Sequence, residues 1–370
     1  MPIFETVFQE KPAIVLEIGS VYTKIGFCGE AHPRFIISTE IRSISDILKK
    51  SYISLYDQTA AFFTKIFFKY LLASPKDRKV SIVESVLTPT VIRECIAKVL
   101  FYHFEVSSVL FLPTHLVATA TLAVENAVVV DLGFKETIVI PVYSGVQVLS
   151  AWQAQPLGSE AVHDKIKAEL ILNGVKEEIL TDAVIEDIKV RTCFVTKQSR
   201  ALSFKSKEEI QPCPDLEYPV DGNDVIKVPG QLREVAFEVL FPKDNDRLGL
   251  PYIILDAILN CPVDTRKVLA ENILLIGGTA SALGMTARLK AELTKLIESD
   301  YYKNRLFIQE VKFHSAPSKP NFTAWLGGSI YSSTELITSS SFTVTRENYL
   351  KNSKIPDWVN YESAFVRTQG

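Results

Sequence analysis

Twice in this chain a short apolar run ends on an acid, with glycine two positions later and threonine six positions after the acid. The first copy runs Ala13-Ile14-Val15-Leu16-Glu17-Ile18-Gly19 and returns as Tyr22-Thr23-Lys24-Ile25-Gly26-Phe27. The second runs Ala127-Val128-Val129-Val130-Asp131-Leu132-Gly133 and returns as Thr137 to Tyr143. Each reads as a strand, a tight turn and a returning strand. A plan repeated at this separation is an internal duplication, and it predicts two related lobes facing one cleft.

Between and after the hairpins, helical patterns alternate with strands. Helices are predicted at Thr59 to Leu72, Thr90 to Phe104, Ala161 to Leu172, Ala183 to Val195, Thr265 to Glu271 and Thr286 to Ser299. Val80 to Glu84 and Ile273 to Ile276 read as strands, and Ser206 to Gly230, with its four prolines and Asp221-Gly222, as a loop and hairpin. The alternation points to α/β architecture.

The bulk numbers exclude several function classes. Of 370 residues 47% are hydrophobic and 22% charged, enough for a large core and two lobes. A net charge of -3 offers no electrostatic case for nucleic acid or an anionic membrane. The five scattered cysteines, without Cys-x-x-Cys, suit reduced thiols of a cytosolic protein, and the five histidines show no metal-ligand spacing. Met1 to Lys11 lacks the basic start and apolar stretch of a signal peptide. The longest apolar region, Val106 to Val130, is broken by Pro113, His115, Glu125 and Asn126; it reads as a buried helix followed by a buried strand.

An acid at a strand end followed by a glycine turn has a chemical use. Backbone N–H groups of the turn can cradle phosphate oxygens while the acid holds a metal ion or its water shell. A third glycine turn, Gly277-Gly278-Thr279, lets backbone approach a nucleoside closely. One such turn is usually only a turn; three in order, two of them duplicated, form a pattern.

These motifs resemble actin. Lys24-Ile25-Gly26-Phe27-Cys28-Gly29-Glu30 with Pro33-Arg34, Asp131-Leu132-Gly133 leading to Pro141-Val142-Tyr143-Ser144-Gly145, and Asp187-Ile188-Lys189 with Cys193 are all similar to actin segments. So are Tyr218-Pro219-Val220-Asp221-Gly222, Gly277-Gly278-Thr279 and Ala324-Trp325-Leu326-Gly327-Gly328-Ser329, in the same order over nearly the whole chain. The resemblance implies an actin-like duplicated two-lobe α/β fold of the actin, Hsp70 and hexokinase kind. Residues 1–121 with 323–370 would form one lobe and 122–322 the other, with the outer small subdomain truncated around 35–57. Val83-Glu84-Ser85-Val86-Leu87, Pro113-Thr114-His115-Leu116, Arg191-Thr192-Cys193-Phe194-Val195, Cys261 to Lys267 and Ile355-Pro356-Asp357-Trp358 are similar to one divergent branch. That branch sits at the pointed end of the short actin-like filament of dynactin.

Set against the family pattern, the pocket is depleted. Glu17 stands for the first Asp and Val21 for a glycine of the first turn; a stiff β-branched residue tolerates positive φ poorly. Phe134 replaces the second Asp and Lys135 the glycine after it, and the positions that orient the attacking water fall at Thr114 and Ile138. The ribose acid falls at Val190, an arginine at Glu186 and an adenine-side lysine at Asn321. What remains as a vestigial or weak nucleotide pocket is Gly19, Ser20, Lys24, Asp131, Gly133, Lys189, Gly277, Gly278 and Thr279, and Lys24 and Lys135 carry charge that attracts phosphate.

The resemblance therefore implies no catalytic residue, no enzyme activity and no metal site, and either no cofactor or a non-hydrolysed ATP or ADP. It implies a cytoplasmic, cytoskeletal subunit bound to dynactin's actin-like filament subunits and to dynactin subunits 4, 5 and 6, and indirectly to dynein, without nucleic acid or membrane insertion. The alternative is an ATP-binding nuclear actin-related protein of a chromatin-remodelling complex. Between Pro33-Arg34 and the helix near Thr59, roughly half of the corresponding actin segment is missing, leaving the connection Ile37 to Asp57. In an actin filament that segment inserts into the next subunit, so its loss suits a terminal position. The segment Trp325 to Tyr331 is the expected lining of the opposite, filament-facing cleft.

Overall fold

The computed structural model describes residues 11–41, 52–205, 211–220, 224–242, 248–334 and 343–357. Residues 42–51 of the Ile37 to Asp57 connection, the Asp221-Gly222 turn, Trp358 and most of the N-terminal stretch lie outside the described residues. The chain divides into two units, one made of the residues up to Thr121 with those from Ala324 onward, the other Leu122–Thr323.

In the first unit, β1 (Ile14–Ile18) pairs antiparallel with β2 (Tyr22–Phe27), which pairs antiparallel with β3 (Phe35–Ser38). Helix α1 (Tyr52–Thr64) runs into a π-helical stretch at Lys65–Tyr70 and leads to β4 (Lys79–Glu84). Helix α2 (Thr90–Lys98) likewise ends in a π-helical stretch, Val99–His103, before β5 (Ser108–Pro113) and α3 (Thr114–Ala120). The expected helices at Thr59 and Thr90 therefore form but widen at their ends. The widened turns belong to the aromatic core, where Phe67 meets Phe104 edge-on at 5.0 Å.

The second unit opens with β6 (Ala127–Leu132), β7 (Thr137–Tyr143), β8 (Val146–Gln147) and β9 (Gln153–Gln155). Then come α4 (Ser159–Leu172), α5 (Asp182–Thr192), α6 (Gln198–Lys205), the β10 (Leu216–Val220) and β11 (Asp224–Val228) hairpin, and α7 (Gly230–Val235). Helices α8 (Leu250–Leu259) and α9 (Val263–Ala270), strand β12 (Ile273–Ile276), and helices α10 (Met285–Ile297) and α11 (Asp300–Leu306) complete it. Its sheet runs β12-β6-β7-β8, with β9 also on β7 and β12 parallel to β6. Helix α8 buries Ile253, Ile254, Leu255, Ala257 and Ile258 in the core of this unit.

The chain then returns to the first unit through α12 (Thr323–Ser333), β13 (Thr343–Thr345) and α13 (Arg346–Asn352). The sheet order becomes β13-β5-β4-β1-β2-β3, with β1, β4 and β5 parallel. Trp325 of α12 is wholly buried and donates its indole N–H to the Val15 carbonyl at 3.0 Å. Gly26 makes this possible, because a Cβ there would lie 2.7 Å from the Trp325 ring.

One expectation is corrected. Val106 to Val130 does not begin as a helix: β5 comes first, then α3, then β6. Every residue of β5 is buried, and an apolar run buried on both faces carries no period by which to tell strand from helix.

The duplication is visible at the level of register. Ile18 faces Thr23 and Glu17 faces Lys24 in the first hairpin, while Leu132 faces Thr137 and Asp131 faces Ile138 in the second. Both turns close with the same bond, Gly19 N–H to Tyr22 O at 3.1 Å and Gly133 N–H to Glu136 O at 3.1 Å. A Cβ on Gly19 would lie 2.8 Å from Tyr22 O and one on Gly133 would lie 2.9 Å from Glu136 O, so both turns require glycine. Thr23 and Thr137 are fully buried at equivalent places.

Candidate functional site

In the first unit the candidate residues lie on the β1–β2 turn. Gly19, Ser20 and Val21 all keep negative φ, so valine is accommodated without the left-handed conformation that a β-branched residue resists. Thr39 braces the turn from outside: its hydroxyl donates to Gly19 O at 2.8 Å and its N–H to Val21 O at 2.8 Å. Ser20 is exposed at the tip. Lys24 projects from the same sheet face as Glu17 and donates to its carboxylate at 2.5 Å, with both side chains mostly buried. The longer reach of Glu over Asp brings the acid onto the lysine opposite it. The cation that the sequence offers to a phosphate thus has a protein counter-ion.

In the second unit the candidates converge. The N-terminus of α4 abuts the β6–β7 turn, with Ser159 N–H donating to Gly133 O at 3.1 Å and Glu160 N–H to Phe134 O at 2.8 Å. Gly158 permits this, since a Cβ there would stand 2.2 Å from Phe134 O. The helix-start amides, which can serve as an anion cradle, are here bonded to carbonyls of the turn. The side chains continue the link: Lys189 Nζ donates to Ser159 Oγ at 2.6 Å, Thr279 Oγ1 lies 3.1 Å from Ser159 Oγ, and Thr279 Oγ1 donates to Gly133 O at 2.9 Å.

The glycine turn after β12 fits closely against the acid of the second hairpin. Gly277 has φ +90°, and a Cβ there would lie 2.6 Å from Asp131 Oδ1 and 2.4 Å from Leu132 O. Its N–H donates to Pro320 O at 2.9 Å. Gly278, by contrast, faces open space.

Lys189 is buried, and its other partners are Glu186 Oε2 at 2.7 Å and His163 Nε2 at 3.1 Å; His163 Nε2 is itself 2.8 Å from Glu186 Oε2. Burial pushes the Glu186 carboxyl up, but the bonds from His163 and Lys189 outweigh it and hold the group down at about 2. Burial draws the Lys189 ammonium below its ordinary value, with Glu186 opposing. Phe134, standing where the family pattern has an acid, packs edge-on against the His163 ring at 5.3 Å. Near the turn, burial raises the Glu136 carboxyl, the Asp131 carboxylate adds to the rise and Lys135 opposes it. A group of acids beside a turn disfavours a further anion there.

The second unit therefore brings together Asp131, Gly133, Lys189, Gly277 and Thr279, with Gly278 beside them; Gly19, Ser20 and Lys24 belong to the first. Thr114 and Ile138 are buried and Val190 is 67% exposed. The Oδ1 of Asn321 is buried with no hydrogen-bond partner among the described residues. The sequence did not single out Ser159 or His163, which sit 26 to 30 residues before Lys189 and join it only through the packing of α4 on α5. Among the described residues no group of three or more His, Cys, Asp or Glu could hold a metal ion, and no helix is long and apolar enough to cross a membrane. Lys24 in the first unit, and Lys189 with the Ser159 and Glu160 amides in the second, are bonded to the protein itself.

The family model for actin matches residues 39–180 and 176–360. Actin-related protein 10 of Dictyostelium discoideum is 30% identical to this chain, over 95% of the chain and 90% of that protein.

Proposed function

The chain belongs to the actin family, and from that premise we propose that it is a non-catalytic actin-related subunit of dynactin. It ends the pointed end of the actin-like filament there, helps assemble the pointed-end complex with dynactin subunits 4, 5 and 6, and so supports dynein-driven movement along microtubules from the cytoplasm. The likeness to an actin-related protein 10 supports the placement.

The observation that carries the non-catalytic part is the continuous side-chain link from Lys189 through Ser159 and Thr279 to the Gly133 carbonyl. It engages these polar groups with one another. Phosphoryl transfer needs a positioned water and groups that stabilise charge on the phosphate. The water-orienting positions are Thr114 and Ile138, and Ile138 has nothing to orient water with. Gly19, Ser20, Lys24, Asp131, Gly133, Lys189, Gly277, Gly278 and Thr279 are on this reading a structural remnant of a nucleotide pocket. The capping role rests on the shortened connection between β3 and α1, since a head-to-tail filament grows only where both faces of its last subunit are present.

The test is recovery of the full chain from cells under gentle conditions, followed by identification of co-purifying chains, analysis of extracted nucleotide and assay of ATP turnover. Dynactin filament subunits and subunits 4, 5 and 6, with no turnover, are the expected result. Chromatin-remodeller subunits in their place, or steady ATP hydrolysis lost on substitution of Asp131, would overturn the proposal.

A further inference from the structure

The C-terminal part of the first unit is attached in two stages. In the first, β13 pairs with β5 through Thr343 with Leu110, Val344 with Val109 and Thr345 with Ser108. Helix α13 follows at once and is seated from inside: Tyr349 is buried and stacks on Phe101 at 4.6 Å, and Arg346 Nε donates to Phe101 O at 3.2 Å. The helix ends at Ser353, which takes a left-handed φ of +49° and donates its N–H to Tyr349 O at 2.7 Å. Ser353 and Lys354 are exposed, so the chain is little packed at this joint.

Contact resumes beyond it. Ile355 packs on the core of the unit, and Arg93 Nη2 donates to Pro356 O at 2.8 Å. Asp357 Oδ1 lies 4.0 Å from Arg93 Nη1.

Arg93 is set for this bond by groups outside the C-terminal segment. Its Nε donates to both carboxylate oxygens of Glu84 at 2.9 Å, and its guanidinium lies over the Phe111 ring at 5.0 Å. Both partners of the ion pair are buried, one on α2 and the other at the end of β4. The guanidinium is a rigid planar fork, so fixing Nε on Glu84 also fixes the direction of Nη2. Glu84 matches the charge whether or not residues 355–357 are in place, so Arg93 keeps its counter-ion when they leave. Their departure gives up a charge-assisted hydrogen bond and the packing of a partly buried isoleucine, which is the scale of a local opening.

We infer that residues 353–357 form a releasable strap. It swings about the Ser353 joint while β13 and α13 stay docked, and its latch is the Arg93 guanidinium preset by Glu84 and Phe111. The strap decides whether the chain leaving Asp357 is tied to the first unit. The inference concerns this attachment alone and does not depend on which complex the chain joins.

Trypsin reads the device directly, because Lys351 lies within α13 and Lys354 beyond the joint. Cleavage of a folded chain follows the population of the locally open form. Arg93→Lys keeps a cation opposite Glu84 but has no second arm for Pro356 O, and Ile355→Ala removes the apolar contact. The full chain and both variants would be digested under native conditions, the two cleavages followed separately by mass spectrometry and the melting temperatures measured alongside. Arg93→Lys should be cut after Lys354 about tenfold faster than wild type, the change expected for one hydrogen bond to a charged group. Ile355→Ala should move the same way, and cleavage after Lys351 should be unchanged in both. A wild-type rate after Lys354 in either variant would overturn the inference. So would a rise after Lys351 in step with Lys354, since α13 and the strap would then open together. Should Arg93→Lys melt below wild type, each chain would be digested at the same interval below its own melting temperature. The ratio of cleavage after Lys354 to cleavage after Lys351 must still rise, and an unchanged ratio sinks the latch.

Discussion

Lys189 and Ser159 meet at 2.6 Å across 30 residues of sequence, and their bond ties α5 to the start of α4 directly under the second hairpin. Thr279 extends the tie to Gly133. The start of α4, the β6–β7 turn and the glycine turn after β12 are thus linked through side chains.

Removing the cation should loosen this region first. Lys189→Met leaves the Glu186 carboxylate without its full-charge partner, and breaking a buried pair on one side is costly. The expected loss is about 2–4 kcal/mol, read as a lower denaturation midpoint. Amide exchange at residues 133–136 and 159–160 should accelerate more than in β1–β2; uniform acceleration would show that Lys189 does not hold the turn.

The Glu17–Lys24 pair should behave as a closed unit. Glu17→Gln or Lys24→Met alone should cost about 1–2 kcal/mol, because each leaves a mostly buried charge. The double variant should recover part of that loss, giving a coupling energy in a double-mutant cycle. Additive losses would mean that the two charges do not sense each other.

Acid stability should depend on Glu186. Its carboxyl titrates at about 2 in the folded chain against an ordinary 4.5, so between those values the unfolded chain binds the proton and the folded chain does not. The stabilisation is complete above pH 4.5 and is lost as pH falls toward 2. Its limit is about 3 kcal/mol. Glu186→Gln should flatten this acid limb of the melting curve while leaving the shape near neutrality unchanged. Lys189 acts at the other end: its lowered value means stability rises as pH climbs through the window below its ordinary value of 10.5.

Two glycines separate close approach from backbone freedom. Gly158→Ala would drive a Cβ to 2.2 Å from Phe134 O and part α4 from the turn, at an expected cost of at least about 3 kcal/mol. Gly174→Ala meets open space and should cost only about 1 kcal/mol for its φ of +86°. Thermal melts of the two variants would check the ranking, and equal losses would refute it.

Much of the fold was legible because it is written locally. An acid, a glycine and a threonine at fixed offsets specify a hairpin, and the same offsets at Glu17 and Asp131 gave hairpins of the same register. Gly277 was legible too, since a turn that needs φ +90° selects glycine. The strand at Ser108–Pro113 was not, because a segment buried on every side has no polar face to mark its period; nor were the π-helical ends of α1 and α2, which mix buried and exposed side chains as an ordinary helix does.

The duplicated hairpins, the α/β alternation and the actin-type motifs are written in the chain, because each depends on neighbours a few residues apart. What the candidate residues bond to is set by packing between distant elements. Lys24 looked available for phosphate until cross-strand register set it against Glu17, and Lys189 until the packing of α4 and α5 set it among Ser159, His163 and Glu186. A charge is read from the chain; its partner is chosen by packing.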